Sequence, residues 1–230
     1  MNYDALTAWG TLLGAVATFL AVLVALFLEP WRRRRSAPRL WLTWRDRDST
    51  RERDADNHQK IFVRLYVQNV GKGAAQRVEV VMGDVCQVFA GDSLKMVSNF
   101  LPTALIWTHS ESPVCAYLPG QASRLCDLGI FSASGRADTS LAHHGPTFFR
   151  CSTQTQPKNE YNYFKTGSYI ARLVASASNA KPSQQMVMFT VGEHVPSGGG
   201  QQNADFSLVP LSPQLSSNYS RFLSNQERSI

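Results

Sequence analysis

The sequence predicts a mainly β protein, with one N-terminal transmembrane α-helix followed by a β-sandwich domain and a small β-barrel as the alternative. Three observations predict it. Residues 8–28 run AWGTLLGAVATFLAVLVALFL without a charge. Four consecutive arginines follow at positions 32–35. Beyond them, short alternating apolar segments are separated by turns containing Gly, Pro and Asn, a pattern of several short strands.

At 1.5 Å per helical residue the uncharged run covers the roughly 30 Å hydrocarbon core of a bilayer. Eleven of its residues are Leu, Val or Phe, each favouring insertion by about 0.3–0.6 kcal/mol near the centre. A buried core helix would keep a polar face, and this run has none. A cleaved signal peptide would carry its positive charges before the apolar run. Here only Asp4 precedes it, and Glu29-Pro30-Trp31 leads into Arg32, Arg33, Arg34 and Arg35. That asymmetry predicts an uncleaved span, with residues 1–7 outside and the C-terminal domain in the cytosol. Trp9 and Trp31 fall at the two ends, where indole rings favour the interface. The arginines serve as topology determinants and as contacts for anionic headgroups, and residues 29–37 form a basic juxtamembrane segment.

Gly10, Gly14, Thr18, Ala21 and Ala25 are spaced four, four, three and four apart, so one helix face carries them all. Small residues in register let two helices approach closely in lipid, which makes this stripe a candidate packing face for a homo-oligomer. The plainer alternative is that Gly and Ala are common in membrane helices.

Charge is concentrated near the helix. Residues 31–60 hold ten Lys/Arg against five Asp/Glu, and the rest of the chain holds thirteen against twelve. The basic balance therefore reports one stretch, and its interleaved acids and missing aromatic platform argue against nucleic acid as a partner. The four cysteines (Cys86, Cys115, Cys126, Cys151) show no close pairing and are read as small buried apolar residues, with a disulfide or redox role as the alternative.

A sandwich domain is expected over residues 38–192. Pro38 interrupts any continuing helix, and residues 39–44 read as a first strand. Residues 45–60 mix both charge signs and read as a solvated loop. Along residues 61–68, Ile61, Val63, Leu65 and Val67 share one face; Val78, Val80 and Met82 do so along 76–82. The intervening Asn69-Val70-Gly71-Lys72-Gly73 suggests that these two strands pair. Further strands are expected at 104–107, 114–118, 123–128 and 167–177. Residues 178–183 break the last of these before 185–191 resumes. The polar stretch 132–162 reads poorly as strand. Residues 193–230 read as flexible linker and tail, with a peptide that docks on a partner as the alternative for 206–230.

The segments VRLYVQNVGKGAAQRVEVVM, YLPGQASRLCDLG and GSYIARLVASASNAKPSQQMVMFTV are similar to strand pairs of immunoglobulin-like β-sandwiches. Joined to GAVATFLAVLVALFLEPWRRRRSAPRLWL, the plan resembles a diffuse group of uncharacterised small bacterial single-pass membrane proteins with a cytosolic immunoglobulin-like β-sandwich domain. The resemblance implies a bacterial inner (plasma) membrane location. It carries no catalytic residues.

The chain holds no G-x-S-x-G, no phosphate-binding G-x-x-x-x-G-K-[ST] and no H-E-x-x-H. His143 and His144 with Cys126 and Cys151 fit no zinc spacing. No catalytic, cofactor-binding or metal residues are therefore assigned. The function expected is a membrane-anchored, non-enzymatic protein-interaction module, whose partners are the lipid bilayer, a second copy of the chain and a cytosolic protein. One alternative is a ligand-responsive membrane effector of the antiphage-defence type that assembles through its helix. Another is a tethered enzyme whose catalytic groups meet only in space.

Overall fold

A computed structural model describes residues 3–28, 32, 35–45, 50–53, 59–98, 100–133, 147–154, 162–192, 206–211 and 213–227. Helix α1 spans Tyr3–Leu23 and runs on into a π-helical turn, Val24–Leu28. Its start at Tyr3 lies five residues before the apolar run.

The strands build two seven-stranded sheets among the described residues. The first holds β1 (Leu40–Thr43), β2 (Thr50–Arg53), β3 (Gln59–Asn69), β7 (Ile106–Trp107), β9 (Ser123–Ala133), β10 (Thr147–Cys151) and β11 (Tyr163–Phe164). The second holds β4 (Ala75–Phe89), β5 (Ser93–Met96), β6 (Thr103–Ala104), β8 (Val114–Leu118), β12 (Gly167–Ala177), β13 (Ala180–Val191) and β14 (Phe206–Pro210). All these pairings are antiparallel. The chain is a mainly β, two-sheet sandwich behind an N-terminal apolar helix, and the sheets do not close into a barrel.

Period-2 alternation sets the core, as the sequence predicts. Ile61, Val63, Leu65 and Val67 are buried from the first sheet, and Val78, Val80 and Met82 from the second. Across the gap, Phe149 packs on Phe189 with ring centroids 5.2 Å apart. The Cys151 thiol lies 3.3 Å from Met82 Sδ. Trp44 Nε1 donates to the Leu208 carbonyl at 2.8 Å, joining one sheet to the edge of the other. All four cysteines are free and buried.

Four expectations change. Strands β3 and β4 do not pair, because both edges of β3 are already taken. Leu40 faces Asn69 on one side, and Ser123 faces Gln68 on the other. Residues 70–74 therefore cross the end of the sandwich, and β4 pairs instead with β12 and β8. The charged stretch 45–60 is not all loop: Thr50–Arg53 pairs with residues 59–62, its polar side chains being tolerated at a sheet edge. Within 132–162, Thr147–Cys151 forms β10 and buries Phe148, Phe149 and Cys151. Residues 178–179 make a tight turn rather than a break, and β12 and β13 pair from Gly167↔Val191 to Ala177↔Ala180. Pro182 fits within β13 because β14 reaches only residues 187–191 on its other edge.

The expected tail is corrected too. Phe206–Pro210 pairs with β13 as β14, and helix α2 (Pro213–Glu227) lies on the outer face of the second sheet. Leu211, Tyr219, Phe222 and Leu223 pack there over Cys86 and Ile170. Leu215, Tyr219, Phe222 and Leu223 recur at helical spacing; counting Tyr219 as apolar completes the stripe that reads as scattered residues in sequence. The linker at 195–205 lies outside the described residues.

Candidate functional site

The helix and its junction with the sandwich form the candidate site. Residues Trp9–Leu28 have a mean hydropathy of 2.6, and none of them is buried. Trp9, Leu13, Phe19, Leu26 and Phe27 are each more than 60 % exposed, so the domain does not cover this apolar cylinder. By length and composition it is one candidate membrane span, and a signal sequence passes the same test.

On the small-residue face, an added methyl at Gly10 or Gly14 meets no atom within 4 Å. Thr18 Oγ1 donates to the Gly14 carbonyl at 2.8 Å, which satisfies the hydroxyl inside its own helix. Ala21 continues that face, whereas Ala25 lies in the π-helical turn and takes its register from the wider i→i+5 bonding there. Arg32 and Arg35 are exposed; Trp31, Arg33 and Arg34 lie outside the described residues.

The junction is built around Asn69, the last residue of β3, which is fully buried. Its Oδ1 accepts the backbone N–H groups of Arg39 and Gly71, both at 3.1 Å. The two N–H groups of its Nδ2 are shared among the carbonyls of Gly73 at 2.7 Å, Pro119 at 3.1 Å and Leu118 at 3.2 Å. One side chain thus ties together the entering chain, the 70–74 crossing and the turn between β8 and β9. Backbone bonds reinforce it: Val70 N–H donates to Arg39 O at 2.8 Å, and Gln121 N–H to Asn69 O at 2.8 Å. The strands converge so closely that side chains do not fit. A Cβ on Gly71 would meet the Ala37 carbonyl, one on Gly73 the Ser36 carbonyl, and one on Gly120 the Lys72 carbonyl. As a sequence, 69–73 predicts a hairpin turn, and the structure gives it this joining role instead. The signal was there, since Asn tolerates turns and also satisfies several buried backbone groups at once.

Two further polar groupings are structural. On the outer face of the first sheet, Arg64 Nε bonds Asp127 Oδ1 at 3.2 Å, and Thr108 Oγ1 donates to the same oxygen at 2.7 Å. Under α2, Arg172 pairs with Asp84 at 2.5 Å, and Tyr219 Oη donates to the Asp84 carbonyl at 3.0 Å. Burial, together with the Asp84 charge, pushes the Cys86 thiol up to about 11. Burial alone pushes Cys151 up, and burial with Asp127 raises Cys126. None of these thiols is activated as a nucleophile, because the thiolate is disfavoured.

Among the described residues no group of three or more His, Cys, Asp or Glu could hold a metal ion. His143 and His144 lie outside them. No protein-family model matches the chain, and no curated protein sequence matches it.

Proposed function

We propose that the chain is a membrane-anchored β-sandwich that acts as a non-enzymatic protein-interaction module on the cytosolic side of a bacterial inner membrane. The observation that carries this reading is the wholly uncovered apolar helix, Trp9–Leu28, joined to a closely knit junction. An apolar surface of that length needs a nonaqueous partner, and a bilayer supplies one. The arginines after the helix favour an uncleaved, N-out arrangement. Tethering raises the effective concentration of the sandwich for any partner at the same surface, so a weak interface suffices. Resistance of the full chain to alkaline carbonate extraction, at full length, tests the anchor. Protease protection of the sandwich in sealed inverted and right-side-out vesicles tests its side. Release by carbonate, or a chain shortened at its N-terminus, would refute the anchor.

A second reading is favoured by one observation, the unobstructed Gly10–Gly14 face. On that reading the helices assemble and the chain is a ligand-responsive membrane effector. Its test is whether toxicity on overexpression disappears when both glycines are replaced by Leu; unchanged toxicity counts against it.

A further inference from the structure

Four chain segments meet at the end of the sandwich that receives the helix. They are residues 35–39, the 69–74 crossing, the 118–122 turn and the 177–182 turn. Their closeness is recorded by Asn69, by the Gly71, Gly73 and Gly120 contacts, by the parallel backbone β-bridge between Arg39 and Lys181, and by Asn179 Nδ2 donating to the Ala74 carbonyl at 2.9 Å. None of the four contains Asp or Glu, while together they contribute Arg35, Arg39, Lys72 and Lys181. Arg39, Lys72 and Lys181 are exposed and make no ion pair among the described residues. Val70, the first residue of its crossing, is 49 % exposed, and its backbone N–H donates to the Arg39 carbonyl. On β1, Trp41 stands opposite Gln68 and is 55 % exposed.

We infer that this end of the sandwich is a second membrane contact, a basic platform carrying the exposed Val70 that rests on anionic phospholipid headgroups. The inference rests on the anchor reading above. Only seven residues separate Leu28 from Ser36, a reach of at most about 28 Å fully extended and less where the segment is helical. The platform is therefore confined close to the headgroup layer. Charge complementarity selects anionic lipid, since juxtamembrane cations within a Debye length of such a surface are attracted to it. The Asn69 bonds matter here because they hold three separate loops in one arrangement. The platform is assembled before it meets lipid, so little conformational entropy is lost on contact.

The test uses the full chain in vesicles. A nitroxide is attached to Val70→Cys or, as the distal reference, to Asp92→Cys in the turn between β4 and β5; the native thiols are buried, and labelling of the unsubstituted chain measures any uptake by them. In vesicles of phosphatidylcholine with phosphatidylglycerol, the label at 70 should lose access to a water-soluble relaxation agent, and the label at 92 should keep it. In phosphatidylcholine alone, or with Lys72→Glu/Lys181→Glu, position 70 should regain the access seen at 92. If position 70 is as water-accessible as 92 in anionic vesicles while the chain resists carbonate, the anchor stands and the platform is overturned. Equal protection in both lipids, or no effect of the double substitution, overturns its electrostatic basis. If carbonate strips the chain, the anchor reading fails and the platform fails with it.

Discussion

Asn69 Oδ1 accepts the backbone N–H of Arg39 at 3.1 Å, across thirty positions of sequence. That bond fixes where the chain enters the sandwich, and the same side chain fixes two loops beside it. A buried amide with all its groups satisfied is stabilising as a unit, and removing it orphans several backbone groups together.

Asn69→Ala removes the side-chain acceptor of two N–H groups and the side-chain donor of three carbonyls, of which Pro119 keeps the Ala122 N–H, so a loss of about 2–4 kcal/mol is expected. Asn69→Asp keeps the acceptor but turns a carboxylate toward three carbonyls, and should be at least as harmful. Urea unfolding of the detergent-solubilised chain measures both, and wild-type midpoints would show that the hub is dispensable.

Gly120→Ala and Gly91→Ala separate crowding from backbone strain. The Gly120 Cβ would overlap the Lys72 carbonyl, whereas Gly91 has φ +74 and open space. Gly91→Ala should cost about 1 kcal/mol through its left-handed backbone. Gly120→Ala should cost more, about 1–3 kcal/mol or beyond, because backbone rather than a movable side chain blocks it. Thermal unfolding of the two variants ranks them directly.

Tyr219 tests how α2 is held. Tyr219→Phe removes the bond to the Asp84 carbonyl and should cost about 1 kcal/mol. Tyr219→Ala empties the centre of the small core under α2, with an expected loss of about 3–5 kcal/mol. Trypsin cleavage after Arg221 should then become fast; cleavage at the wild-type rate would mean that α2 docks without Tyr219.

Stability should fall in mildly alkaline solution. The Cys86 thiol is raised from 9.0 to about 11 in the folded chain, so between these values the unfolded state loses its proton first. Fewer protons bound in the unfolded state means that the free energy of unfolding decreases as pH rises. The contribution is fully present below pH 9 and is lost by about pH 11. Cys86→Ala should make the slope over that window shallower, the remainder coming from Cys126 and Cys151, whose buried thiols are raised as well, and an unchanged slope would assign all of it to other groups.

The small-residue face makes its own prediction. Crosslinking of the full chain in membranes should give a dimer or higher ladder that Gly10→Leu/Gly14→Leu abolishes, because bulky side chains keep the helices apart. A monomer in both chains would make the helix a plain tether.

Much of the architecture was legible in sequence because it rests on local periodicity. Residues 61–67 alternate in sequence and alternate in burial, and the uncharged run at 8–28 is a helix. The 69–73 segment predicts a hairpin and yet crosses between sheets, because a turn sequence specifies how the chain bends and does not specify which sheet receives it. Tyr219 was passed over because an aromatic hydroxyl in a polar tail gives no sign of being buried until its neighbours at 215, 222 and 223 are placed on one helix face.

By itself the sequence determined the apolar helix, the basic segment after it, and the inward faces of residues 61–67 and 78–82, since each depends on residues that are neighbours along the chain. Only the tertiary structure decided that β3 and β4 belong to different sheets, that Asn69 joins three loops, and that α2 covers a sheet. Those outcomes depend on which edges and faces are already occupied by segments far away in sequence, and no local pattern encodes that competition.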